Sequence, residues 1–142
     1  MTVKTETNFY KNLKKCLESG GKKYIITRIE SYVTPGFPDC LIYHNDVGFF
    51  TLELKVVRRN KKGIGKVLIS PLQIAWNTIH MIHGAPVFIL IHDPGRGITK
   101  LFPSSKLLEL RDKDYDSVDG GLWTGALGRE FAAELPKLLK LP

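Results

Sequence analysis

The order of segments along the chain predicts an α/β (α+β mixed sheet) fold, with a central mixed β-sheet flanked by helices. Three observations carry this expectation. A helical repeat of apolar residues opens the chain, three strand-like segments with short connections follow, and a well-capped helix then leads into a further apolar strand. In the first segment Phe9, Leu13, Cys16 and Leu17 recur at helical spacing, with Thr5 or Thr7 as a candidate N-cap and Gly20-Gly21 as the stop. Tyr24 to Val33, rich in Ile, Tyr and Val, reads as a strand, and Thr34-Pro35-Gly36-Phe37-Pro38 is punctuation that no central strand tolerates. Cys40 to His44 and Phe49 to Val57 read as two further strands about the turn Asn45 to Gly48, which suggests an antiparallel meander.

Asn60 to Gly65 reads as a flexible basic loop. Ser70-Pro71 then opens a helix that Gly84 ends, with Leu72, Ala75, Trp76, Ile79 and Ile82 expected as its buried stripe. Pro86 to His92 is an apolar run of strand length, and Gly97 to Phe102 follows the turn Asp93-Pro94-Gly95 as another strand. Ser104 to Leu110 and Gly128 to Leu139 read as helices, with an Asp- and Gly-rich loop from Asp112 to Gly121. A length of 142 residues suits one domain, with a core over about 5–92 and a C-terminal extension over 93–142.

Hydrophobic residues make up 43% and charged residues 25%, which excludes a disordered chain. Twenty-one Lys and Arg against fourteen Asp and Glu give a net charge of +7. Its distribution is more telling: Lys55, Arg58, Arg59, Lys61, Lys62 and Lys66 follow one another with no acid between, as a phosphate-contacting stretch would. Cys16 and Cys40 have no metal-ligand spacing and read as buried apolar residues in a reducing compartment. No signal-peptide pattern opens the chain and no apolar run reaches transmembrane length, so a cytoplasmic protein without a membrane partner is expected. Gly63-Ile64-Gly65-Lys66 lacks the first glycine and the Ser/Thr of a P-loop, so no nucleotide cofactor is expected.

The segment that carries chemistry is Pro38-Asp39 followed by Glu53-Leu54-Lys55. Strand residues two apart share a side, so Phe50, Leu52, Leu54 and Val56 face one way, and Thr51, Glu53 and Lys55 the other. Taken alone, Glu53 and Lys55 read as a strand-edge salt bridge. Asp39, one hairpin upstream, changes that reading. Two carboxylates can hold a hard divalent cation while several waters stay bound, and a neighbouring lysine can position the attacking water in phosphodiester hydrolysis. His80 and His83, three apart on one helix, have no third ligand at a convincing spacing and read as surface or partly packed. Trp76 reads as core, and Trp123, in a Gly-rich stretch, as a candidate interfacial residue.

On Pro38-Asp39 and Glu53-Leu54-Lys55 the chain resembles the PD-(D/E)xK nuclease superfamily. The wider run Arg28-Ile29-Glu30-Ser31, Gly36-Phe37-Pro38-Asp39, Glu53-Leu54-Lys55, with Gln73 in the next helix, is similar to its phage and archaeal Holliday-junction-resolvase and VRR-type branches. The likeness runs from about Glu6 to His92 and implies a restriction-endonuclease-like core. It implies Asp39, Glu53 and the backbone carbonyl of Leu54 as metal ligands, Lys55 as the water-positioning lysine, and Mg²⁺ as the cofactor, with Mn²⁺ able to substitute. Glu6 would be a further ligand, direct or through water; the alternative is an acid favouring the helix dipole. Gln73 would reach the active centre, although Ser70-Pro71-Leu72-Gln73 is equally a capping box. Glu30 and Ser31 would lie near the scissile phosphate, or be solvated strand residues.

The expected activity is therefore an endodeoxyribonuclease leaving a 5′-phosphate, in the cytoplasm of a bacterial or phage-infected cell. Its DNA contacts would be Arg28, Ser31, Arg58, Arg59, Lys61, Lys62 and Lys66. A Holliday junction resolvase of phage type, acting on branched DNA as a homodimer, is one form. Another structure-specific or restriction-type nuclease, or an inactive DNA-binding accessory protein of the same fold, are the alternatives.

Overall fold

A computed structural model describes residues 2–21, 23–29 and 34–139. Helix α1 runs Thr2–Ser19, followed by strands β1 (Tyr24–Arg28), β2 (Cys40–His44) and β3 (Gly48–Val56). A small hairpin of β4 (Arg58–Arg59) and β5 (Gly65–Lys66) leads to α2 (Pro71–Ile82). Then come β6 (Val87–Asp93), β7 (Ile98–Pro103), α3 (Leu107–Asp112), β8 (Trp123–Gly125) and α4 (Arg129–Leu139). The sheet order is β1-β2-β3-β6-β7-β8, and β6 lies parallel to β3 while every other pairing in this sheet is antiparallel. The expected mixed sheet and meander are both present.

Side-chain alternation on β3 divides the core. Phe50, Leu52 and Leu54 join Phe9, Leu13 and Leu17 of α1 and Phe131 and Leu135 of α4 on one face. On the other, Ile89 and Ile91 pack with Val67, Ile69, Leu107 and Leu110. Cys16 and Cys40 are buried free thiols, as expected. Among the described residues, no helix is long and apolar enough to cross a membrane.

Several local expectations are corrected. Helix α1 starts at Thr2, so Thr5 and Thr7 lie inside it and not at its N-cap. No Gly or Pro interrupts the first turn, so the helix extends to it. Strand β1 stops at Arg28. Residues 60–65 form a closed turn: Asn60 Oδ1 accepts from the Lys62 and Ile64 amides, and the Asn60 amide donates to Ile64 O at 3.1 Å. Short strands thus replace the flexible loop.

The expected buried stripe of α2 faces outward. Leu72, Ile79 and Ile82 are 55%, 57% and 72% exposed, and Trp76 is half-buried between Phe37 and a stacked His80. Turned inward are Gln73, Ile74 and Asn77. Asn77 is fully buried, donating to Gln73 O at 2.8 Å and accepting from Ser104 Oγ at 3.0 Å. Polar contacts worth about 1 kcal/mol each, with a larger penalty if broken, set the rotation of this helix against its hydrophobic pattern.

Beyond Asp93 the chain completes the sheet with β7 and β8. Trp123 packs on Phe131 with ring centroids 4.5 Å apart and belongs to the core cluster. Within the expected loop after Asp112, a short 3₁₀ turn, Tyr115–Ser117, buries Tyr115 beneath Phe102.

Candidate active site

The β2–β3 register pairs Cys40 with Leu52, which puts Asp39, one residue before β2, next to Glu53. Asp39 Oδ2 accepts the Leu54 amide at 2.8 Å, and its backbone carbonyl accepts the Ile29 amide at 2.8 Å. In an extended strand the N–H and C=O of one residue point to the same edge, so the Leu54 carbonyl also faces the Asp39 side.

The segment that delivers Asp39 is latched to α2. Gly36 has φ +87°, and a Cβ there would stand 2.3 Å from the Leu72 carbonyl oxygen. Only glycine lets this turn lie against the first turn of the helix. Phe37 adds a ring contact with Trp76 at 5.0 Å.

Gln73 caps its helix and also reaches Glu53. Its Oε1 accepts the Ser70 amide at 3.0 Å while Ser70 Oγ accepts the Gln73 amide at 3.1 Å, closing the capping box. Its Nε2 donates to Glu53 Oε2 at 3.2 Å. The cap fixes the side chain in the orientation that reaches the carboxylate.

Glu53 is 1% exposed, and its Oε1 is buried with no hydrogen-bond partner. Burial raises its pKa well above the usual carboxylate range; hydrogen bonding and repulsion from Asp39 add to the rise, Lys55 opposes it, and Glu6 adds slightly. Glu6, half-buried in the second turn of α1, is thus close enough to act on Glu53 through its charge. It is not a first-turn acid. Lys55 is half-buried and forms no salt bridge among the described residues, in contrast to the strand-edge pair that its spacing alone suggests. Burial and the charges of Asp39 and Glu53 push the Cys40 thiol up, so it is an inert neighbour.

A buried carboxylate oxygen without a partner, beside a second carboxylate and a strand carbonyl, is a donor set that suits a hard divalent cation. A cation there would satisfy Oε1 and offset the repulsion. Among the described residues no group of three His, Cys, Asp or Glu side chains forms a ready metal cage. The fit is that of an oxygen site with two carboxylates that leaves positions to water.

Arg28, Arg58, Lys61, Lys62 and Lys66 are exposed near this end of the sheet, and the Arg28 guanidinium lies over the Tyr10 ring. Arg59 is engaged otherwise. Its guanidinium bonds Asp93, Asp116 and the Gly63 carbonyl, so it braces the β4–β5 hairpin and is not a free phosphate contact. The acids that claim it lie 34 and 57 residues away, beyond any local reading. Glu30 and Ser31 lie outside the described residues. His80 bonds the Trp76 carbonyl and His83 the Ile79 carbonyl, so both are helix-surface side chains.

No protein-family model matches the chain, and no characterised protein matches it by sequence. Among solved structures it is similar to Hjc of Archaeoglobus fulgidus, a Holliday junction resolvase from an archaeal hyperthermophile, with a TM-score of 0.53 at 20% identity. The match covers 76% of this chain and 84% of that one. The chain therefore shares the fold of that resolvase, a six-stranded mixed sheet flanked by helices.

Proposed function

We propose that the chain is a Mg²⁺-dependent endodeoxyribonuclease acting on branched DNA such as a four-way junction. The observation that carries this reading is the orphaned Glu53 Oε1 buried beside Asp39, with Lys55 on the same strand face. Asp39, Glu53 and the Leu54 carbonyl would hold the metal, with Glu6 through water. When bound, the cation would lower the pKa of a coordinated water and offset charge on the phosphate. Gln73 holds Glu53 in place through Nε2, and the Leu54 amide does the same for Asp39. Lys55, without an ion pair among the described residues, would orient the attacking water and stabilise the charge that builds on the phosphate oxygens. Arg28, Arg58, Lys61, Lys62 and Lys66 would hold the DNA backbone.

Paired cuts require two centres, and the outward face of α2 offers the surface for a homodimer. Leu72, Ala75, Ile79 and Ile82 share that face, and residues 67–92 contain no Asp, Glu, Lys or Arg. In a chain of net charge +7, two copies would meet across this neutral stretch with the least repulsion.

The test incubates the protein with labelled four-way junction, flap, single strand and linear duplex in Mg²⁺ or EDTA. EDTA-sensitive cutting of the junction is expected. Asp39→Asn and Lys55→Ala should each keep DNA binding and lose cleavage by at least about 100-fold. Wild-type rates in either variant would sink the assignment of the centre.

A further inference from the structure

On the opposite face of the sheet from Glu53 and Lys55, at the same end, lies a pocket of about 520 Å³. The register places it: Lys55 pairs with Ile91 and Val56 with His92, so His92 emerges on the α1 face where β3 and β6 finish. Phe9 and His92 meet in its wall with ring centroids 5.4 Å apart. His92 Nδ1 is shared with Thr99 Oγ1 at 3.1 Å, which fixes the ring. On the rim, Asn8 and Asn12 stand one turn apart on α1, and Lys15 lies a turn further on. The pocket adjoins the candidate centre through α1, because Glu6, whose charge reaches Glu53, is one turn before Phe9 and Asn8 one turn before Asn12.

The lining selects a ligand class. Among the described residues it has no carboxylate to pair with an amine or to hold a hard metal ion, and the Cys16 thiol is committed to the Gly128 carbonyl at 3.1 Å. Its volume falls within the range of small-molecule sites, roughly 300–1,000 Å³. The partly exposed His92 ring, backed by the buried Phe9, gives a flat ring one surface to stack on. Two primary amides offer donors and acceptors to the edge of a heterocycle, and a lysine at the mouth suits an attached phosphate. Burial lowers the His92 pKa, so the ring is neutral at physiological pH and meets another ring as a stacking surface.

We propose that this pocket receives an unpaired nucleobase of the DNA substrate, drawn out of the helix beside the cut. The inference rests on the nuclease reading above and narrows its substrate to DNA with an unpaired or displaceable nucleotide near the scissile phosphate. Base pairs at a fully stacked duplex could not enter; a strand passing over this end of the sheet could place a phosphate on one face and a neighbouring base on the other.

The test uses a set of duplex oligonucleotides with one extra, unpaired nucleotide, walked across successive positions, each matched by an oligonucleotide with an abasic residue in its place. Affinities are measured by fluorescence anisotropy in EDTA, so that the pocket is scored whether or not the protein cuts. At one or more positions the wild type should bind the base-bearing strand about fivefold or more tightly than its abasic match. In the Asn8→Ala/Asn12→Ala double variant, and in Ala126→Trp, which fills the mouth, that ratio should fall to about one while thermal midpoints show both variants folded. Equal affinities for base and abasic residue at every position, or an unchanged ratio in both variants, would overturn the proposal. Absence of metal-dependent cutting of any DNA would instead remove the nuclease reading and leave the binding comparison standing.

Discussion

Gln73 joins two jobs in one side chain, and single substitutions can separate them. Ser70→Ala removes the reciprocal cap and should cost about 0.5–2 kcal/mol of stability, read from urea unfolding, with little change in cleavage. Gln73→Ala removes that cap and also the bond to Glu53. It should cost a similar amount of stability and lower the cleavage rate in addition, measured at saturating DNA. If both variants cleave alike, the Gln73 amide only caps. That Asp39 comes beside Glu53, with Lys55 on the same strand, was legible in the sequence because strand alternation and the Pro-Asp punctuation are local signals. The fate of Arg59 was not. A run of cations looks uniform along the chain, and only the packing of Asp93 and Asp116 against it singles one out.

At the scale of elements, the latch between residues 34–38 and α2 is as consequential as the strand that bears Glu53. Gly36→Ala places a methyl against the Leu72 carbonyl and strains a positive φ, for a cost of about 1–3 kcal/mol measured by denaturant unfolding. Because the same turn delivers Asp39, the variant should also weaken metal-dependent cleavage below its unfolding midpoint. A loss of stability with full activity would show that Asp39 is held independently of the latch.

The β2–β3 hairpin carries its own titratable group. His44 is 2% exposed, packs on the Tyr24 ring, and its Nδ1 accepts the Asp46 amide at 3.0 Å. Burial lowers its pKa below 6.5, although Asp46 pulls the other way. The unfolded chain then binds more protons than the folded one as the pH falls through 6.5, so stability declines with acid in that window. The thermal midpoint should fall between pH 7 and pH 5, with a shallower slope in His44→Gln. An identical slope in the variant would assign the acid sensitivity to another group.

Across the whole molecule, element order and sheet type followed from the sequence, whereas the orientation of α2 did not. Hydrophobic periodicity marks the apolar stripe of a helix but is silent on whether protein or a partner covers it. Here a buried Asn77 and the Gln73 contact turn the helix the other way. The last strand, β8, was missed because three residues, Trp123–Gly125, carry too little pattern to register. Replacing Ile79 and Ile82 by Lys should leave the fold intact and convert a dimer to a monomer in sedimentation velocity. A wild type that is monomeric at tens of micromolar would dismiss the α2 interface.

The latch also has a mechanical meaning. Helix α2 is a partition about 10 Å thick, with Glu53 hung on its inner side through Gln73, the Asp39 turn clamped to its first turn, and an oily outer side. A displacement of this one rod would be felt at both carboxylates, at Glu53 through Gln73 and at Asp39 through its turn. A partner that seats on the outer side and shifts the helix would then be coupled to the pair, and reciprocity would have an ion held by the carboxylates change the affinity of that outer seat by the same factor.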